Sequence, residues 1–353
     1  MSGPRKVLVG GMPASLYSER LVMRDGVPEF ADVLDAAERI KPYAVRTPLI
    51  EHPALNDRVG GRVLLKAETL QRVGAFKFRG AYNAVSRTDP AEFPGGVVAC
   101  SSGNHAQGVA HAAALCELPA VIVMPRDAPV LKVKRTKAYG AEVVLYDRET
   151  EDRYQIAREL AAGRRARFVP PFDDGYVIAG QGTAGLEIAE QVRLAGAQTD
   201  AVLVCTGGGG LLSGIALALS ETLPGVKAHP VEPAGFDDFT RSLAVGERLR
   251  NARMGGSICD ALLPEMPGEK TFDIARRLCG EGIVVSDEDA AEAVRFAFFE
   301  LKLVVEPGGA VALAALLSGA FEGRGRTVVA TLSGGNVDPR LFARLIGAEA
   351  VSG

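Results

Sequence analysis

Short apolar runs recur along the chain at residues 63–65, 97–100, 120–124, 142–146, 201–205, 228–231 and 327–332. Each is continuous rather than alternating, the mark of a strand buried on both faces. Between them, residues 104–116, 181–194, 211–222 and 287–303 have helical length and apolar spacing. This alternation predicts βαβ units and an α/β fold of two open, mostly parallel sheets flanked by helices. In such sheets ligands sit at the carboxyl ends of strands, where loops pass into helix N-termini. Residues 1–27 show no sustained periodicity and are expected to form a mobile extension. The remainder divides, on pattern, into a large domain of residues 28–88 and 175–353 and a small domain of residues 89–174.

Composition narrows the function classes. Hydrophobic residues are 47% and charged residues 24% of the 353, close to the globular average, which argues against disorder or a fibrous repeat. With 40 basic and 43 acidic side chains the net charge is −3, so there is no electrostatic footprint for nucleic acid or an anionic membrane. Small neutral or zwitterionic partners fit better. Five cysteines lie far apart without CxxC spacing, and four histidines show no HExxH pattern, so neither a disulfide framework nor a zinc site is expected. No apolar run reaches a membrane span and no signal-peptide pattern is visible. A cytoplasmic location with reduced thiols is the expectation.

Candidate chemistry falls at the predicted strand ends. In GAFKFRGA, residues 74–81, Lys77 stands between Phe76 and Phe78. An amine among aromatic rings is desolvated, its pKa falls, and a nucleophilic free amine becomes available. The alternative is a solvated lysine at a helix N-terminus. Residues 205–211, CTGGGGL, join a strand to a helix; Gly207, Gly208, Gly209, Gly210 and Leu211 could cradle a phosphate with backbone N–H groups, or allow a close helix–strand crossing. Residues 101–108, SSGNHAQG, include Ser102, Asn104 and His105, which could hold a carboxylate or phenolic oxygen, or merely cap a helix. Ser333 opens SGGN after the last strand, where a turn residue is the plain account. Glu306 precedes a helix in KLVVEPGGA, where compensation of the helix dipole would suffice. Glu232, the carbonyl of Phe236, and Asp238 offer oxygen ligands to a hard cation, or form an ordinary acidic turn.

Taken in order, GAFKFRGA, SSGNHAQG, GGGGL, KLVVEPGGA and SGGN resemble the fold-type II pyridoxal-phosphate enzymes of the threonine and serine dehydratase and serine racemase family. The likeness runs from about Arg46 to Pro339. It implies that Lys77 carries the cofactor as a Schiff base and then removes the substrate Cα proton. It further implies that Phe76 packs on the pyridine ring, Asn104 bonds its phenolic oxygen, the 207–211 loop holds the phosphate, Glu306 belongs to the cofactor site, and Ser333 faces the pyridine nitrogen. Ser102, Asn104 and His105 would surround the substrate carboxylate, with Ser102 as the second base of the racemases. Glu232, Phe236 and Asp238 match that family's divalent-cation site, so Mg²⁺ is expected in a structural or activating role.

The expected activity is an ammonia-lyase acting on L-threonine and L-serine. A neutral serine at the pyridine nitrogen makes the electron sink shallower, so electrons pass on to expel a β-hydroxyl, and a 2-oxo acid and ammonia are released. One position departs from the family: Ala75 replaces the serine common before Phe-Lys. In that change the chain resembles 3-hydroxyaspartate dehydratases, whose substrate has a second carboxylate and should need an added cation that the sequence does not identify. Serine racemization is a further alternative, as is a non-catalytic small-molecule sensor on the same fold. With a short stretch after Asn336, the regulatory domain of biosynthetic threonine dehydratases and its feedback inhibition by isoleucine are not expected. A catabolic homodimer is the expectation.

Overall fold

A computed structural model describes residues 26–347 except Pro129 and Met254; residues 1–25, where most of the expected extension falls, lie outside the described residues. Among the described residues there are ten strands: β1 Leu49–Glu51, β2 Arg62–Ala67, β3 Val97–Cys100, β4 Ala120–Pro125, β5 Glu142–Tyr146, β6 Arg167–Phe168, β7 Ala201–Cys205, β8 Lys227–Pro233, β9 Ile283–Val285 and β10 Thr327–Leu332. They build a six-stranded sheet in the order β1-β2-β10-β7-β8-β9 and a four-stranded sheet in the order β5-β4-β3-β6. Every pairing is parallel except β1 with β2. The two mostly parallel sheets match the expected fold. The strands not expected, β1, β6 and β9, are too short to carry a periodic signal.

The continuous apolar runs have a direct cause. Val63 and Leu65 of β2, with Val328 and Ala330 of β10, pack against the helix Pro307–Leu317. Their neighbours Leu64 and Val329 face the opposite way, onto Ile188, Leu212 and Ile215. Successive side chains point to opposite faces, and both faces are covered by helices, so no position is left for a polar residue.

Two helices that open onto the site are held by a third. In the helix Gly175–Leu194, a Cβ on Gly180 would stand 2.6 Å from the Cα of Gly80 in the helix Lys77–Val85. A Cβ on Gly182 would stand 2.8 Å from the carbonyl oxygen of Gly214 in the helix Gly210–Thr222. Only glycine permits such backbone-to-backbone contact. This helix begins upstream of the expected residue 181, because Asp174 accepts from the Val177 N–H at 2.9 Å and caps it. The helix Asp287–Phe299 stops short of the expected residue 303, and Lys302 beyond it has φ of 60°.

A buried ionic cluster also fixes the Lys77 helix. Arg79, with no exposed surface, donates to both oxygens of Glu68 at 2.8 Å and to Glu187 at 2.7 and 2.9 Å. Lys66 Nζ reaches Glu187 at 2.6 Å, the Thr47 carbonyl at 2.7 Å and Gln191 at 2.9 Å. Burial alone would raise the Glu68 carboxyl, but the Arg79 guanidinium overcomes it and holds that group below its ordinary pKa. Two cations and two carboxylates thus join β2, the Lys77 helix and the Gly175–Leu194 helix.

Candidate active site

Lys77 opens its helix at the edge of a cavity between the two sheets. Its Nζ donates to the carbonyl oxygen of Pro171 at 2.7 Å and stands 5.0 Å from the centroid of the Phe76 ring. Burial lowers the ammonium pKa from 10.5 to about 8. The helix N-terminus opposes a cation at the same place. The expectation of an amine between two rings needs correction. Phe78 is directed into the core, 5.7 Å from Tyr82 and 5.5 Å from His111 between ring centroids. Residues two apart on a helix diverge by about 200°, so only one of the flanking rings can face the amine.

Backbone bonds tie this segment to the end of β10. Ala75 bridges Gly334, Phe76 donates to the carbonyl of Ser333 at 3.1 Å, and Gly335 donates to Gly74 at 2.9 Å. Ser333 itself is buried and lines the cavity. Asn336 donates to the Val73 carbonyl at 2.7 Å and to Asn104 Oδ1 at 2.8 Å. Asn104 in turn donates to Glu306 Oε1 at 2.5 Å. Glu306 makes no side-chain cap to the helix it precedes; its carboxylate instead accepts from Asn104 at the cavity. Its carboxyl is raised by burial, with Lys132 and Asn104 partly offsetting that.

Gly207, Gly208 and Gly209 link β7 to the helix Gly210–Thr222, and their N–H groups donate to no other backbone group among the described residues. Both roles suggested by the glycine run hold together. A Cβ on Gly208 would lie 2.4 Å from the Phe172 ring, and one on Gly209, at φ of 90°, would lie 2.3 Å from Phe239. Close packing excludes side chains, and the same exclusion leaves a concave run of free donors at a helix N-terminus. That cradle fits a phosphate.

The SSGN turn does more than cap. Gly103 is the N-cap of the helix Asn104–Leu115, and no side chain caps it. His105 Nε2 lies 2.9 Å from the Val169 carbonyl, which can only accept, so Nε2 carries the hydrogen. Nδ1 is buried without a partner. Burial first, and the Lys77 charge second, lower its pKa to about 3, and the ring is neutral.

Phe76, Lys77, Ser102, Asn104, His105, Gly207, Gly208, Gly209, Gly210, Leu211, Glu306 and Ser333 all line this one cavity. So do several residues that the motifs did not single out: Lys132, Arg153, Pro171, Phe172 and Asp260. Lys132 and Arg153 lie early in the helices Val130–Ala138 and Arg153–Arg164, which follow β4 and β5. Their place after strand ends is the signal that could have found them, although no glycine-rich loop marks it.

Glu232 and Asp238 lie outside the cavity, behind the glycine loop. Glu232 accepts from the Phe239 N–H at 3.0 Å and from the Thr240 N–H and hydroxyl at 2.7 Å each. Asp238 Oδ1 accepts from Asn251 at 2.6 Å, while Oδ2 is buried without a partner. Burial, then the Asp238 charge, pushes Glu232 well up, and burial raises Asp238 to about 7. Among the described residues no group of three or more His, Cys, Asp or Glu side chains is placed to hold a metal. Two carboxylates, one with a free oxygen, and the buried Phe236 backbone nevertheless suit a hard cation in donor type.

The profile described as pyridoxal-phosphate dependent enzyme matches residues 40–334. An L-threo-3-hydroxyaspartate ammonia-lyase of Saccharomyces cerevisiae is 45% identical over 91% of this chain and 97% of its own length. A serine racemase of Schizosaccharomyces pombe is 38% identical over 93% and 99%. The crystal structure of a T.th. threonine deaminase superposes with a TM-score of 0.83 at 43% identity, covering 88% of this chain and 99% of that one. With its lysine, glycine cradle and two mostly parallel sheets, the chain belongs to the pyridoxal-phosphate dependent enzymes, in their fold-type II group.

Proposed function

We propose that the protein is an ammonia-lyase for small β-hydroxy amino acids, with L-threo-3-hydroxyaspartate preferred over L-threonine and L-serine. The observation that carries the preference is the presence of Lys132 and Arg153 in the cavity that Lys77 opens onto. A substrate with one carboxylate leaves such cations without a use. The relatives named for hydroxyaspartate, at 45% and 44% identity, support the same ranking. The threonine reading keeps its support in the 43% identity to a threonine deaminase.

Pyridoxal phosphate, when bound, supplies an aldehyde for Lys77 and an electron sink for the bond broken at Cα. The rest falls to the chain. The free N–H groups of the 207–211 loop would bind the phosphate, and Phe76 would pack against the ring. Asn104, oriented by Glu306 and Asn336, would offer its amide to the phenolic oxygen. Ser333 would supply a neutral hydroxyl to the pyridine nitrogen. Ser102 and the backbone N–H of Asn104, at the start of its helix, would hold the α-carboxylate, while His105, neutral and bonded to Val169, keeps the turn in place and holds no acidic proton to give. Lys77 Nζ, positioned by the Pro171 carbonyl, takes the Cα proton; its lowered pKa makes the free amine accessible near neutral pH. The β-hydroxyl leaves, and with the proton taken from Cα it makes one water overall; hydrolysis of the released enamine then yields the 2-oxo acid and ammonia. Glu232, the Phe236 carbonyl and Asp238 would hold Mg²⁺ behind the loop, away from the reacting atoms. A homodimer is part of the proposal.

The test is release of ammonia and of oxaloacetate, 2-oxobutyrate or pyruvate from the three amino acids, with the cofactor present and with or without Mg²⁺. Release from none of them sinks the proposal. Release from threonine and serine alone removes the preference.

A further inference from the structure

Lys132 projects from the helix Val130–Ala138, and its side chain is only 15% exposed. Its Nζ stands 3.6 Å from the position a Cβ on Gly103 would occupy, over the turn that carries Ser102 and Asn104. The charged group nearest to it is Asp260 Oδ2, also at 3.6 Å, a distance too long for a hydrogen bond. Asp260 is 55% exposed and comes from the loop after the helix Asp238–Val245, so the two residues face each other from opposite sides of the cavity mouth. Lys132 therefore carries a positive charge into a part-buried site without a close acceptor. Its influence extends to Glu306 deeper in the cavity, whose burial-raised carboxyl it partly draws down.

We propose that Lys132 is the residue that reads a second carboxylate on the substrate, and that Asp260 is its loose counter-ion when no substrate is bound. The second carboxylate of hydroxyaspartate is bonded to its β-carbon, so an α-carboxylate at the Ser102–Asn104 turn keeps the second one close to that turn. A charge above Gly103 is suitably placed to receive that group. Arg153 is the competing cation on the cavity wall; its guanidinium lies 5.0 Å from the centroid of the Tyr154 ring, a contact that leaves its N–H donors free, so Lys132 is favoured by its place over the Ser102–Asn104 turn alone. Threonine offers a methyl group at the same position and leaves the Lys132–Asp260 pair undisturbed. The charge thus discriminates between substrates rather than serving the elimination common to both. Asp260 keeps the lysine from remaining a bare cation and is displaced at little loss, because its contact is long and Asp260 is more than half exposed.

This inference rests on the ammonia-lyase reading, and the experiment separates the two. In the full chain loaded with cofactor, Lys132→Gln is compared with wild type on L-threo-3-hydroxyaspartate and L-threonine. The ratio of kcat/KM values, hydroxyaspartate over threonine, is expected to fall roughly ten- to hundredfold, the worth of one charge-assisted hydrogen bond. Lys132→Arg retains most of the ratio. Calorimetry gives a readout apart from turnover: succinate binding weakens by a similar factor in Lys132→Gln and tightens in Asp260→Asn. Equal loss on both substrates, with succinate binding unchanged, overturns the inference, as does a collapse of the ratio in Arg153→Met but not in Lys132→Gln. If wild type releases no 2-oxo acid from any hydroxy amino acid, the ammonia-lyase reading fails instead. Succinate binding then still judges the anion subsite on its own.

Discussion

Phe76 donates its backbone N–H to the carbonyl oxygen of Ser333 at 3.1 Å, so the residue before Lys77 is pinned to the residue that follows β10. Gly334 continues this contact, and a Cβ there would lie 2.2 Å from Glu306 Oε1 and 3.1 Å from Asn104 Nδ2. Gly334→Ala must therefore push Glu306 off Asn104. Overpacking of this kind costs about 1–3 kcal/mol, and cofactor affinity should fall with stability. Thermal unfolding and cofactor titration of the variant check both, and unchanged values would contradict the packing described.

Lys77 should reveal its lowered pKa in cofactor uptake. The attacking form is the free amine, which in the apoprotein predominates above about pH 8. Covalent attachment of pyridoxal phosphate should accelerate from about pH 7 to 9 and then level, whereas an ordinary lysine would keep gaining up to its own pKa near 10.4. Stopped-flow absorbance across that range decides between the two curves. Lys77→Ala should lose borohydride labelling, and its turnover should drop by roughly 10³-fold or more.

Removal of the Arg79 guanidinium leaves Glu68 and Glu187 facing each other in a buried cluster. Arg79→Met should therefore destabilise the fold by about 3–5 kcal/mol, far more than loss of an exposed pair such as Arg276–Asp273. Denaturant unfolding of the two variants side by side gives the comparison. Similar losses in both would mean that the cluster carries little of the fold.

Glu232 and Asp238 bind protons in the folded state at pH values where the unfolded chain has released them. Their contribution without metal is therefore fully present at low pH and is lost as pH rises through about 7 for Asp238. A divalent cation needs the deprotonated forms, so its stabilising effect should grow over the same range. At a hundred times its dissociation constant, Mg²⁺ adds about 2.7 kcal/mol, and Asp238→Ala should abolish the gain. Thermal shifts with Mg²⁺ and with EDTA, at pH 5.5 and 8, test the sign as well as the size.

The fold was legible where a strand is long and doubly buried, as in β4 or β10, since such strands leave continuous apolar runs. It was not legible in β1, β6 or β9, which depend on pairing with a neighbour rather than on a local pattern. The cavity residues were legible in the same way, because glycine, serine and asparagine at strand ends have few purely local uses. Phe78 misled, since adjacency in sequence does not carry around a helix. Lys132 and Arg153 were passed over because a lysine or arginine in a charged helix looks solvated until the opposite wall of the cavity is known. The orphaned Oδ2 of Asp238 and the close approach of Gly180 to Gly80 are likewise products of tertiary packing, with no local signature.

β10 is the last strand in chain order, yet it lies inside the six-stranded sheet between β2 and β7. During synthesis, β2 and β7 emerge well before it, and until it arrives each has an unpaired edge along the gap. Ser333 and its contact to Phe76 arrive with it. Cofactor capture is therefore a late event in the life of the nascent chain, and the interval before it is when edge-to-edge association and chaperone dependence should be greatest.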